Sequence, residues 1–147
     1  MNVLERITEE LKTAMRQKDQ VRMDTLRMLK SDIKNAEIEK RAPLVEEEML
    51  VIVQKSIKKR HESIEMYKTG NRQDLVDKES REAEILNAYL PPQMGKEEIL
   101  QLAQDAVRES GASSKKDMGK VMGILMPKVK GKADGKLVQQ VVSGLLP

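Results

Sequence analysis

Residues 46–70 read EEEMLVIVQKSIKKRHESIEMYKTG, and their spacing decides the fold class. Leu50, Val53, Ile57 and Ile64 recur at helical intervals, so they share one face of a helix. Glu46, Glu47 and Glu48 fall in the first turn, where the positive end of the helix dipole favours acids, and Gly70 supplies a stop. The spacing predicts the longest helix of the chain here.

Working outward, the pattern repeats in both directions. Leu4, Ile7, Leu11 and Met15 predict a first helix, which Asn2 and Glu5 cap. Leu26, Leu29, Ile33 and Ala36 predict a second, which continues towards Lys40 and stops before Pro43. Leu75, Ala83, Leu86 and Leu90 give a fourth, weaker stripe. At Leu90-Pro91-Pro92-Gln93-Met94-Gly95 the paired prolines forbid helix continuation, so 91–95 is expected to be a hinge between an N-terminal domain, 1–90, and a C-terminal one, 96–147.

Beyond the hinge, Ile99, Leu102, Ala103, Ala106 and Val107 predict a helix that starts near Lys96 and ends at Gly111. Ser114 with Asp117 resembles a capping box, followed by a short helix through Met118, Val121, Met122 and Leu125 that Pro127 closes. Asp134 is placed to cap a last helix carrying Leu137, Val138, Val141 and Leu145. The expected fold is all-α: an elongated N-terminal helical hairpin or bundle, then a small three-helix bundle.

Composition agrees. The 147 residues include no Phe, Trp or Cys and only two Tyr, so the core must be Leu, Ile, Val and Met, which disfavours sandwiches and barrels. Zero cysteine excludes disulfides, thiolate metal sites and a cysteine nucleophile. The N-terminal MNVLERITEELKTAMRQK has no apolar signal core, from which a soluble, cytoplasmic protein without a membrane partner is expected.

Catalytic chemistry finds little support. His61 is the one histidine, close to the apolar stripe of its helix, and reads as a partly buried, hydrogen-bonded side chain with no second His or Cys to work with. The acid runs Glu46–Glu48 and Glu82 with Glu84 lie among bases on amphipathic helices, as solvated faces do. Ser113 and Ser114 lack a nucleophile elbow. Gly131-Lys132-Ala133-Asp134-Gly135-Lys136-Leu137 invites comparison with a phosphate-binding loop, but it is one residue short between its glycines and has Leu137 where a metal-binding hydroxyl belongs. It reads as a turn feeding a capped helix, whose amides could still meet a phosphate oxygen. No catalytic residue, metal or cofactor is assigned.

Charge is more informative. Residues 1–90 hold 18 basic and 18 acidic groups, 91–111 hold 2 and 4, and 112–147 hold 7 and 2, so the positive charge lies at the C-terminal end. Lys115, Lys116, Lys120, Lys128, Lys130, Lys132 and Lys136 have only Asp117 and Asp134 as counterweights. Such density suits a polyanion, although solubility also explains charge on a small bundle. Gly119 and Gly123, four apart, leave a flat strip open to a sugar-phosphate backbone or to a packed helix. Both tyrosines lie outside this region, so base stacking is not available, and lysines without arginine forks suit structured RNA better than sequence-read DNA.

Lys18-Asp19 with Arg22, Thr25-Leu26-Arg27, Ile33-Lys34 and Tyr89-Leu90-Pro91-Pro92-Gln93, with Asp117-Met118-Gly119-Lys120-Val121-Met122 and Gly131 to Val138, together resemble the YqeY family from end to end. The last 50 or so residues are also similar to the tail of the B subunit of the tRNA-dependent amidotransferase, a helical domain that contacts tRNA. That resemblance implies a tRNA contact around Gly119, Lys120, Gly123, Lys130, Gly131, Lys132, Ala133 and Lys136. It also implies an amidotransferase or an aminoacyl-tRNA synthetase as a possible protein partner, since related tails are fused to some glutaminyl-tRNA synthetases. Where the amidotransferase tail usually has Asn-Pro, this chain has Asp134-Gly135, and an acid beside a phosphate repels it. A carbon–nitrogen ligase label, with glutamine as amido donor, would describe those relatives: their kinase-like cradle and glutaminase subunit have no counterpart in 147 residues. The expectation is a non-enzymatic accessory protein that binds structured RNA, tRNA foremost. The alternative is a protein-interaction adaptor whose lysines serve solubility.

Overall fold

A computed structural model describes residues 1–147, all helices and turns. The chain divides into two compact units, Met1–Leu90 and Pro91–Pro147. No helix is long and apolar enough to cross a membrane.

The first unit holds α1 (Val3–Gln17), α2 (Gln20–Lys40), α3 (Glu46–Thr69) and α4 (Gln73–Asn87). Asn2 Oδ1 accepts from the Glu5 N–H at 2.8 Å while the Glu5 carboxylate accepts from the Asn2 N–H at 3.3 Å, so the predicted cap of α1 is formed in both directions. Asp19 starts α2 by accepting from the Arg22 N–H at 3.2 Å. The three acids opening α3 do more than face a dipole. Glu46 accepts from the Val3 N–H at 3.1 Å, taking up a donor at the start of α1, and Glu48 accepts from Lys40 Nζ at 2.6 Å across the α2–α3 turn.

The core of this unit joins Val3 and Ile7, Leu26, Leu29 and Ile33, Met49, Val53 and Ile57, then Ile85, Leu86 and Tyr89. In α1 the buried set is Val3, Ile7 and Ala14, while Met15 is exposed and Leu4 and Leu11 are half-buried. The expected stripe is thus turned by about one residue. In α4 the buried set likewise includes Val76 and Ile85, while Leu75 is half-buried and Leu90 lies beyond the end of the helix. Tyr89, two residues past the end of α4, reaches α1: its hydroxyl donates to the Glu10 carboxylate and the Arg6 guanidinium lies 4.6 Å from its ring centroid.

One charged side chain enters this core. Arg60, 7% exposed, donates through Nη1 to Ser56 Oγ at 2.8 Å and to the Ser56 carbonyl at 3.2 Å; its Nη2 points to Met28 Sδ at 3.5 Å. The Glu82 carboxylate lies 3.3 Å from Nε, near enough to attract but off the line of a hydrogen bond, so Nε is buried without one. Arg60 therefore ties α3 to α2 and α4. His61, beside it in sequence, is exposed, contrary to the partly buried position expected.

The second unit holds α5 (Lys96–Ser110), a one-turn 3₁₀ helix (Lys115–Asp117), α6 (Met118–Val129) and α7 (Gly135–Leu145). Its core is Ile99, Ala103 and Ala106 against Val121, Leu125 and Val129, closed by Ala133, Val138, Val141, Val142 and Leu146. Pro127 does not close α6. The helix carries the proline inside its last turn and runs to Val129, because Val121, Leu125 and Val129 form one fully buried stripe and ending earlier would expose its last member. Ser114 makes no side-chain cap; instead Asp117 accepts from the Ser113 N–H at 3.0 Å. Asp134 caps α7 as predicted, accepting from the Lys136 N–H at 3.2 Å. The stretch 91–95 is fastened to the α6–α7 turn: the Gln93 side-chain amide donates to the Gly131 carbonyl at 3.2 Å and the Met94 N–H to the Lys132 carbonyl at 2.8 Å.

Candidate nucleic-acid interface

The seven lysines lie around α6. Lys115 and Lys116 sit in the 3₁₀ turn and Lys120 in the first turn of α6; Lys130 caps the end of the helix, Lys132 follows on the turn, and Lys136 is in the first turn of α7. Six of the seven are exposed and Lys130 is half-buried. The 12 residues of α6 span about 18 Å, so two lysine groups stand one at each end of that rod. Lys128, in the last turn of α6, has its ammonium 3.9 Å from Glu109 of α5.

Between the groups, the face of α6 opposite Val121 and Leu125 carries Gly119 and Gly123. Both are exposed, and a Cβ built at either meets nothing within 4 Å. Close helix packing within the unit therefore does not explain them. Gly131 has a structural reason for being glycine: it is buried with φ at 80°, in the left-handed region. Ala133 is buried in the core and forms a backbone bridge with Lys130.

The backbone of the turn is less open than the sequence suggests. The Lys130 N–H donates to the Met126 carbonyl, and those of Lys132 and Ala133 both donate to the Val129 carbonyl, at 2.8 and 3.0 Å. With the Lys136 N–H engaged by Asp134, those four amides already have acceptors within the chain.

The counter-acids are structural. The Ser113 N–H, first, and the Ser114 N–H hold the Asp117 carboxyl below its usual range, with Lys120 at 4.0 Å adding to the same effect. Lys120 and Lys128 are the two lysines of the group with an acid within 4 Å, both at the far limit of an ion pair. Such exposed pairs hold their charges weakly and leave them available to a stronger anion.

The sequence reading missed Arg60 and the groove it borders. Arg60 follows Val53 by seven residues and precedes Ile64 by four, so a base on the apolar stripe was the signal that could have found it.

The profile of the family described as Yqey-like protein matches residues 4–146. The chain is 33% identical over 147 residues to "Altered inheritance of mitochondria protein 41, mitochondrial" of Pyrenophora tritici-repentis, covering 95% of this chain and 81% of that protein. It is 41% identical over 85 residues to the protein of that name from Lachancea thermotolerans, and 37% over 90 residues to the one from Eremothecium gossypii. The first of these two matches covers 57% of this chain and 46% of the relative; the second covers 60% and 49%. These names state no reaction. They also correct the cytoplasmic location expected from the sequence, because the relatives are named as mitochondrial proteins. Lack of an apolar export signal, on which that expectation rested, does not separate one compartment from the other. With all but a few terminal residues matched, the chain belongs to the Yqey-like protein family.

Proposed function

We propose that this chain is a non-catalytic accessory protein whose C-terminal unit binds structured RNA, tRNA foremost, through lysine ammonium groups. The observation that carries the reading is the state of the cationic end. Lys115, Lys116, Lys132 and Lys136 are exposed and Lys130 is half-exposed, with no acid of the chain bridged to any of them, at the two ends of a helix whose outward face includes Gly119 and Gly123. A surface of this kind grips phosphates by charge and admits a backbone closely, without reading bases. The similarity of this unit to the amidotransferase tail supports tRNA as the first RNA to test. An amidotransferase or an aminoacyl-tRNA synthetase is the protein partner that the same similarity proposes.

The test is a titration of the full chain with total tRNA across a range of salt. Binding should weaken as salt rises, with a slope in log–log terms of about 0.7 to 0.9 per phosphate contact. Lys130→Ala with Lys132→Ala should reduce that slope by about 1.4 to 1.8 while leaving the helical signal unchanged. No binding at low salt would sink the reading and favour the protein-interaction adaptor.

A further inference from the structure

The first unit carries a groove that the RNA reading leaves unused. It lies between α2 and α3, has a volume of ≈ 390 Å³, and takes its apolar lining from Met28, Ala36 and Ile52. Its origin is local. The small side chains Ala36 and Ser56 line it and leave a trough, and Arg60, bonded to Ser56 and reaching Met28, holds the two helices at that separation.

The walls of the groove differ in sign. Asp32 and Glu39, two turns apart on α2, line one side; Lys55 and Lys59, one turn apart on α3, line the other. All four are exposed, and none has an ion pair or hydrogen bond within the chain. Elsewhere on these helices charges do find partners: Lys34 with Glu37 and Lys40 with Glu48. An apolar trough between an unpaired acidic rail and an unpaired basic rail matches the cross-section of an amphipathic helix, whose apolar ridge runs between two charged flanks. Opposite rails select one arrangement of flanks, because like charges facing each other across an interface are unfavourable.

We propose that the α2–α3 groove docks an amphipathic helix of a partner protein, one whose apolar ridge is bordered by a basic flank on one side and an acidic flank on the other. The basic flank lies along Asp32 and Glu39 and the acidic flank along Lys55 and Lys59. The site is independent of the lysines of the second unit.

Three synthetic helical peptides test it on the full chain by fluorescence anisotropy. They share one leucine ridge and differ in their flanks: lysine on one side and glutamate on the other, lysine on both, or glutamate on both. The mixed peptide should bind at least tenfold more tightly than either uniform one. In Asp32→Lys with Glu39→Lys, which makes both rails basic, the preference should pass to the all-glutamate peptide. These positions are exposed, and circular dichroism checks that the helices are kept. Equal affinity for the three peptides, binding of none, or a preference that the double variant leaves in place would each overturn the proposal. So would a concentration-dependent dimer that Lys55→Glu dissociates, since the groove would then belong to a second copy of the chain.

Discussion

Replacing Glu82 by alanine should destabilise the first unit strongly, and removing Arg60 as well should restore most of the loss. The two charges stand 3.3 Å apart with side chains 9% and 12% exposed. At an effective dielectric of about 20 their attraction is about 5 kcal/mol, against a desolvation cost of several kcal/mol for each ion. The intact pair therefore contributes little net stability. Deleting one partner is a different matter, because the guanidinium stays buried with only its Ser56 bonds and a thioether contact. Losses of this kind run to about 3–5 kcal/mol, and the missing hydrogen bond at Nε argues for the lower end, about 3 kcal/mol. Arg60→Met with Glu82→Leu removes both charges and keeps much of the volume, so it should fall within about 1 kcal/mol of the parent or exceed it.

Urea unfolding read by tyrosine emission is the assay, because Tyr67 and Tyr89 both lie in the first unit and the second holds no aromatic residue. At a denaturant slope of about 1.5 kcal/mol/M, Glu82→Ala should lower the midpoint by about 2 M. A shift below about 0.5 M, or a double variant as unstable as the single, would refute the account of a buried charge left without its partner.

Gly119→Ala with Gly123→Ala separates folding from function: a Cβ at either position meets open space, so α6 should gain about 0.5–1 kcal/mol per site by thermal melting. Affinity for tRNA should fall if a backbone approaches that face, and unchanged affinity would remove the glycines from the interface. Burial, first, and the hydrogen bond to Glu10 push the Tyr89 phenol above the usual tyrosine range. Because the folded value is raised, the stabilisation is complete below about pH 10 and is lost as pH rises towards the folded value. Tyr89→Phe should flatten that alkaline decline of the urea midpoint, and a decline that persists in the variant would assign it to other groups.

The helices could be read in the sequence because each carries a stripe at helical spacing, and their starts were clearest where Asn2 and Asp134 supply a side-chain cap. What the stripe does not fix is its own rotation. Leu4 and Val3, or Leu11 and Ala14, lie within one broad apolar arc of α1, and which of them meets α2 depends on where Glu46 and Tyr89 hold that helix. Pro127 failed as a boundary for a related reason: a local rule about proline lost to the burial of Val129, which lies two residues further on.

The same division separates the two surfaces. Lysine density is a property of the chain and could be counted. That the lysines stand at two ends of one helix, and that the amides of Lys132 and Ala133 are already engaged, follows from how Val129 and Gln93 close that turn. The α2–α3 groove could not be counted at all. Asp32 with Glu39 and Lys55 with Lys59 look like ordinary solvated charges along two helices, and they become facing rails only through the register of the turn between them. A polyanion site of this type is written in composition, whereas a helix-docking site is written in register. That is why one was visible before the fold was known and the other was not.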